Sequence, residues 1–187
     1  MSGLCSDSVL ETLVQDMQAG APDQLERIDT LLVEFPGDAR LHFLHGSMLV
    51  QAGRLIEGHN SLKRAVALAP DFPIARFQLG LFQLTSGETA NALETFGRLD
   101  GLQDGHYLRK FVDGLRCLIR DDFKGVIANL QEGIRLNSEN IPLNNDMRMI
   151  IQQCEPLIGA SDSGDDEASV SETSLVLRQL AGRRTIN

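Results

Sequence analysis

Apolar side chains recur at helical spacing along most of the chain. In the stretch "LHFLHGSML" they fall at Leu41, Leu44, Met48 and Leu49, the i, i+3, i+7, i+8 spacing of one face of an amphipathic helix. Comparable segments lie on either side of three short turn signals, "QAGRL", "TSGET" and "IRDDF". The pattern predicts an all-α protein made of helix pairs joined by tight turns.

These helix pairs repeat along the chain. "HFLHG" at 42–46 recurs as "RFQLG" at 76–80 and as "KFVDG" at 110–114. The same step of 34 residues relates three sets of residues: Phe43, Phe77 and Phe111; Gly46, Gly80 and Gly114; Leu62, Phe96 and Leu130. A fixed period of this length is typical of repeat architectures. Because one helix pair cannot bury its apolar face alone, neighbouring units are expected to stack.

The register also assigns the turns and the ends of the array. The turn position holds Gly53, Gly87 and then Asp121. The predicted units are 39–72, 73–106 and 107–140, preceded by a degenerate unit at 5–38 and followed by a capping helix at 141–156. In that cap we expect Leu143, Met147, Ile150 and Ile151 to face inward and Asn144, Asn145 and Arg148 to face outward.

Period and residue types together resemble the tetratricopeptide repeat family. His45 and Gly46 occupy its Leu-Gly pair, and Gly58, Leu62, Ala65 and Pro70 fill its later signature positions. Asp113 and Ser138 depart from the family pattern. The resemblance covers residues 5–156 and implies a right-handed superhelical solenoid of antiparallel helix pairs.

The resemblance also implies a concave groove lined by the first helix of each unit. The predicted partner-binding residues are Phe43, Val50, Phe77, Leu81, Leu84, Phe111, Leu115 and Leu118. Such a groove is mostly apolar and lacks the basic set with which family members grip a terminal carboxylate. The alternative is that the three repeated Phe side chains only fill gaps between adjacent first helices of neighbouring units.

Beyond residue 160 the composition changes. "SDSGDDEASVSE" has five acidic and no basic residues, which predicts a solvated linker. The segment 173–181 that follows has Leu175, Val176, Leu177 and Leu180 on one side of a possible short helix. Such a helix is marginal alone. It is either a frayed end or a docking segment, placed in its own groove or in a partner.

Charge and cysteine content narrow the functional classes. A net charge of -9 over 187 residues disfavours binding to nucleic acid or to an anionic membrane surface. No window approaches a membrane span, and "MSGLCSDSVLETL" does not resemble a secretory signal. Cys5, Cys117 and Cys154 are widely spaced and predict reduced thiols in a cytoplasmic protein.

Candidate chemistry is sparse. His42 and His45 are one helical turn apart, but the next units do not repeat a metal-binding pair at these positions, so we expect a packing role. Catalytic sequence motifs are absent, and Asp121-Asp122 is expected to cap the helix that follows. The sequence therefore predicts no enzyme, no metal and no cofactor.

These observations favour a non-catalytic scaffold that binds an apolar or amphipathic segment of another protein. Two alternatives stay open. One is a secretion-type chaperone for an amphipathic export substrate. The other is self-association through the C-terminal segment, giving a homo-oligomer.

Overall fold

The computed structural model describes residues 3–158 together with Thr173, Val176 and Leu177. Within these residues the secondary structure is helical, with no strand, which confirms the all-α class. The helices are α1 (Asp7–Gln18), α2 (Gln24–Glu34), α3 (Ala39–Gln51), α4 (Leu55–Leu68), α5 (Pro73–Thr85), α6 (Thr89–Gly97), α7 (Tyr107–Ile119), α8 (Phe123–Leu136) and α9 (Ile141–Cys154), followed by a 3-10 turn, Glu155–Leu157. None of the described helices combines the length and the apolar character needed to cross a bilayer.

Helix starts recur at the interval of the sequence repeat. Helices α3, α5 and α7 begin at residues 39, 73 and 107, and α4, α6 and α8 begin at residues 55, 89 and 123. The chain forms two compact units, Met1–Leu79 and Gly80–Ile186. Because the predicted domain, 5–156, extends through both units, its boundaries stay a prediction.

The buried carboxylate of Asp38 holds the start of helix α3 in place. Asp38 caps α3 by accepting the Arg40 backbone N–H at 2.9 Å, and it also accepts the Cys5 N–H at 3.0 Å. The Arg40 guanidinium donates to Asp38 and to the Cys5 carbonyl oxygen. Burial alone would raise the pKa of Asp38, but these hydrogen bonds outweigh it and hold the pKa below its usual range. The segment before α1 is thereby tied to the start of α3.

Each helix pair is closed by the same left-handed turn. The second residue after the first helix has a positive φ in three pairs, 76° at Gly53, 84° at Gly87 and 55° at Asp121. In each case its N–H donates to the carbonyl oxygen three residues back: Val50, Leu84 and Leu118. Glycine adopts this conformation without steric cost, whereas another L-residue is strained by about 1 kcal/mol. The turn at Asp121 therefore carries a strain that the two glycine turns lack.

Close backbone approach defines the inside of the pairs. A Cβ atom at Gly46 would lie 2.9 Å from the backbone nitrogen of Leu62 and 3.0 Å from the carbonyl oxygen of Gly58. At Gly80 it would meet the Phe96 ring at 2.4 Å, and at Gly114 the Leu130 side chain at 2.6 Å. The glycine repeat is therefore a repeated packing requirement between the two helices of a pair.

One prediction for the capping helix, α9, is wrong. Leu143, Met147, Ile150 and Ile151 are buried as expected, and Asn145 and Arg148 are exposed. Asn144, however, is buried, so its predicted outward orientation is wrong. Its amide oxygen accepts a hydrogen bond at 2.8 Å from the amide of Asn137, which is also buried. Because this contact satisfies both amides, a polar residue is retained on the inner face.

Gly46→Ala is expected to destabilise the protein by about 1–3 kcal/mol, because the added methyl group meets backbone that cannot move independently. Urea unfolding measures the loss. The matched control is Gly97→Ala at the exposed end of α6, where a Cβ atom meets nothing within 4 Å. There the change should be neutral or stabilise by up to about 1 kcal/mol. Equal effects at the two sites would contradict the close-approach role of Gly46.

Candidate partner-binding surface

Most of the predicted groove residues are inaccessible. Phe77, Leu81, Leu84, Phe111, Leu115 and Leu118 are at most 1% exposed, and Val50 is also buried. Phe43 alone among the predicted contact residues is partly exposed. A partner could reach the buried side chains only after other groups had moved away from them.

Two of these residues pack inside their own helix pair. A Cβ atom at Gly133 of α8 would lie 2.4 Å from the Phe111 ring, and one at Gly58 of α4 would lie 2.6 Å from a methyl group of Val50. The Phe111 ring also meets Tyr107 edge to face, with centroids 5.7 Å apart. These contacts of Phe111 are thus with its own helix and with the second helix of its pair. Packing between the first helices of neighbouring units stays a prediction.

Phe43 differs from Phe111 in its surroundings. Its ring contacts Phe72 edge to face, with centroids 5.4 Å apart, and its side chain stays half-buried. Phe43 is thus a predicted contact residue that solvent still reaches. Its role in binding a partner stays a prediction.

The surface beside the end of α7 is occupied by the chain itself. Thr173, Val176 and Leu177 are helical and belong to the second compact unit. They are only 8%, 3% and 9% exposed. The Thr173 hydroxyl lies 2.5 Å from the Leu118 carbonyl oxygen and 2.5 Å from a carboxylate oxygen of Asp121. The described part of the predicted docking segment is therefore seated on its own chain; its remaining residues lie outside the described part of the structure.

The two neighbouring carboxylates have separate roles. Asp122 caps α8, accepting the Gly125 N–H at 2.9 Å, as predicted. Asp121 does not contribute to that cap, and the prediction for it is wrong: its carboxylate contacts Thr173 instead. The available signal in the sequence was Asp121 in place of glycine at the turn position. Its contact could not be read from that signal, because Thr173 lies 52 positions away.

His42 and His45 form hydrogen bonds with different partners. His45 Nδ1 lies 2.9 Å from the Ser61 hydroxyl, and its Nε2 lies 3.0 Å from an Asp29 carboxylate oxygen. His42 Nε2 lies 3.0 Å from the Pro36 carbonyl oxygen. Burial lowers the pKa of His45, and Asp29 only partly offsets this effect. Both rings have structural partners, and no cluster of three potential metal ligands occurs among the described residues.

Burial is the main influence on the pKa of each cysteine thiol. Cys5, Cys117 and Cys154 are all free and buried. Burial raises the pKa of the Cys154 thiol to about 11 and also raises that of Cys117, next to Asp122. Thiols with raised pKa values hold little thiolate at neutral pH, so they are poor nucleophiles.

Comparison with known proteins adds no assignment, because neither a protein-family model nor a curated protein sequence matches the chain.

Phe111→Ala is expected to destabilise the protein by about 3–5 kcal/mol, because it empties a fully buried site against Gly133. Phe43→Ala is the matched control and should cost about 1–2 kcal/mol, because that ring is only half-buried. Chemical denaturation followed by circular dichroism gives both values. A smaller loss for Phe111 than for Phe43 would contradict the packing role.

Acidification is expected to destabilise the protein through His45. Its folded-state pKa lies below the ordinary value of 6.5, so unfolding takes up a proton as the pH falls below about 6.5. The stability contributed by the neutral ring is present above that pH and is lost below it. The urea midpoint should fall less between pH 7.5 and 5.5 in His45→Gln than in wild type. An equal or larger fall of the midpoint in His45→Gln would refute the assignment.

Proposed function

We propose that the protein is a non-catalytic protein-interaction module that binds an amphipathic helical segment of a partner. The observation that supports this most directly is the contact of Thr173 with Leu118 at the end of α7, together with the burial of Val176 and Leu177. The chain's own segment serves as an example of the ligand class. It combines one polar contact to the backbone with two buried aliphatic side chains.

The repeated helix pairs support a scaffold role. Gly46 faces Leu62 while Val50 faces Gly58, so α3 and α4 run in opposite directions. In α7 and α8, Gly114 faces Leu130 and Phe111 faces Gly133, which gives the same arrangement. We further propose that such pairs stack into a right-handed superhelix of the tetratricopeptide kind. Three free, buried cysteines support a cytoplasmic location.

The energetics favour reversible binding. Burial of Val176 and Leu177 contributes roughly 1.5–3 kcal/mol each, while association costs some 4–15 kcal/mol. Even with about 1–3 kcal/mol from the hydroxyl hydrogen bond, a segment of this kind binds weakly from solution, with a dissociation constant on the order of 100 µM at best. Tethering through the linker raises the effective concentration to the millimolar range. The chain's own segment should thus outcompete a dilute free peptide.

A peptide-binding measurement tests the proposal on the full-length chain. Val176→Asp together with Leu177→Asp should release the C-terminal segment and free the surface. A fluorescein-labelled peptide of residues 171–184 should then bind with a dissociation constant on the order of 100 µM, measured by polarisation. Wild type should bind it about tenfold more weakly, because its own segment competes.

The matched control peptide carries Asp in place of both Val176 and Leu177 and should not bind either protein. Thermal unfolding of the released variant shows that its helical core persists. If that variant stays folded but does not take up the wild-type peptide, the surface does not accept segments from outside the chain and the proposed function fails.

A further inference from the structure

Asp121 stands where the repeat favours glycine. The equivalent turns hold Gly53 at φ 76° and Gly87 at φ 84°, and Asp121 adopts the same left-handed conformation at φ 55°. Its backbone N–H makes the same turn hydrogen bond, to the Leu118 carbonyl oxygen at 3.1 Å. The turn itself therefore gives no reason for a carboxylate at this position.

The carboxylate does have a partner outside the turn. One Asp121 oxygen accepts from the Thr173 backbone N–H at 3.3 Å and lies 2.5 Å from the Thr173 hydroxyl. That hydroxyl has a single proton and can donate either to this oxygen or to the Leu118 carbonyl oxygen. Because Thr173 is buried, its hydroxyl needs such an acceptor.

Apolar residues follow the hydroxyl at helical spacing. Val176 and Leu177 lie three and four positions after Thr173, so all three side chains share one face of a helix. All three are buried. The described contacts thus define a pattern for the seated segment: a hydroxyl residue, two intervening positions, and two aliphatic residues.

We propose that the Leu118 carbonyl and the Asp121 carboxylate form a hydroxyl-recognition site that holds Thr173 and keeps the C-terminal segment on the second unit. A partner segment that takes its place presents Ser or Thr followed by aliphatic residues three and four positions later. The statement about the partner rests on the proposed function, whereas the recognition of Thr173 does not.

Amide hydrogen exchange in the full-length protein tests the site. Asp121→Gly removes the carboxylate and suits the left-handed turn, so the variant should fold. Thr173→Val removes the hydroxyl at nearly constant volume. Each change should speed exchange in the peptide 173–181 by about five- to tenfold, the loss expected for one hydrogen bond at a partly exposed charge.

The double variant gives the sharpest outcome. The two changes share the hydroxyl–carboxylate contact, whereas the Thr173 backbone N–H keeps its bond to Asp121 in Thr173→Val. Asp121→Gly should therefore accelerate exchange less in the Thr173→Val background than in wild type. Unchanged exchange in either single variant, or fully multiplicative effects in the double variant, would overturn the recognition site.

Three controls separate the Thr173 contact from effects of local charge, side-chain shape and self-association. Asp122→Asn keeps a good helix cap while removing the neighbouring charge, and its exchange in 173–181 should equal that of wild type. Thr173→Ser retains the hydroxyl and should restore most of the protection lost in Thr173→Val. Protection should be independent of protein concentration, because the contact lies within one chain; concentration-dependent protection would instead place the segment on a second copy and refute the intramolecular site.

The partner pattern is tested separately with the 171–184 peptide and the released Val176→Asp/Leu177→Asp chain. Replacing the peptide's Thr173 with Val should weaken binding about five- to tenfold, and Ser should restore it. If the wild-type peptide fails to bind while the exchange results hold, the proposed function fails and the recognition of Thr173 stands. Equal binding of the Thr and Val peptides would refute hydroxyl recognition in the partner.

Discussion

The close approach of two helix backbones at a repeated glycine is the constraint on which the rest of the structure depends. At Gly46 a methyl group would be 2.9 Å from the backbone of the opposite helix, so the distance between α3 and α4 requires that side chain to be absent. The two helices are also joined by a short turn, between Gln51 and Leu55. That turn uses a left-handed residue to satisfy the last carbonyl groups of the first helix. The close approach and the left-handed turn therefore recur together along the repeat.

The same constraint explains which features the sequence predicts well. Helix starts depend on local signals and on the 34-residue register, and they recur at that interval in α3 to α8. The direction in which an apolar side chain points is harder to predict, because α7 is buried on several sides, at Tyr107, Val112, Cys117 and Leu118 among others. An apolar residue in such a helix has more than one neighbour available. The repeat thus identified Phe111 as important without identifying Gly133 as its contact.

Specific contacts between polar side chains could not be predicted from local patterns. Asn144 is polar, which favours the surface, yet the buried amide of Asn137 satisfies it. Asp121 looked like part of a helix cap because it stands next to Asp122, and its true contact, Thr173, lies 52 residues away. In both cases a polar residue is explained by one specific partner, which neither hydropathy nor period encodes. A departure from the repeat, such as Asp in place of Gly, was the available clue.

The division of roles between Asp121 and Asp122 bears on whether the C-terminal segment can leave. The α8 cap depends on Asp122 and Gly125, and the turn depends on the Asp121 N–H and the Leu118 carbonyl oxygen. Neither bond involves Thr173. Release of the segment therefore breaks no bond that holds the helix pair together, although it uncovers Val176 and Leu177. A segment attached in this way is an adjunct to a complete fold, and this independence is what an exchangeable ligand requires.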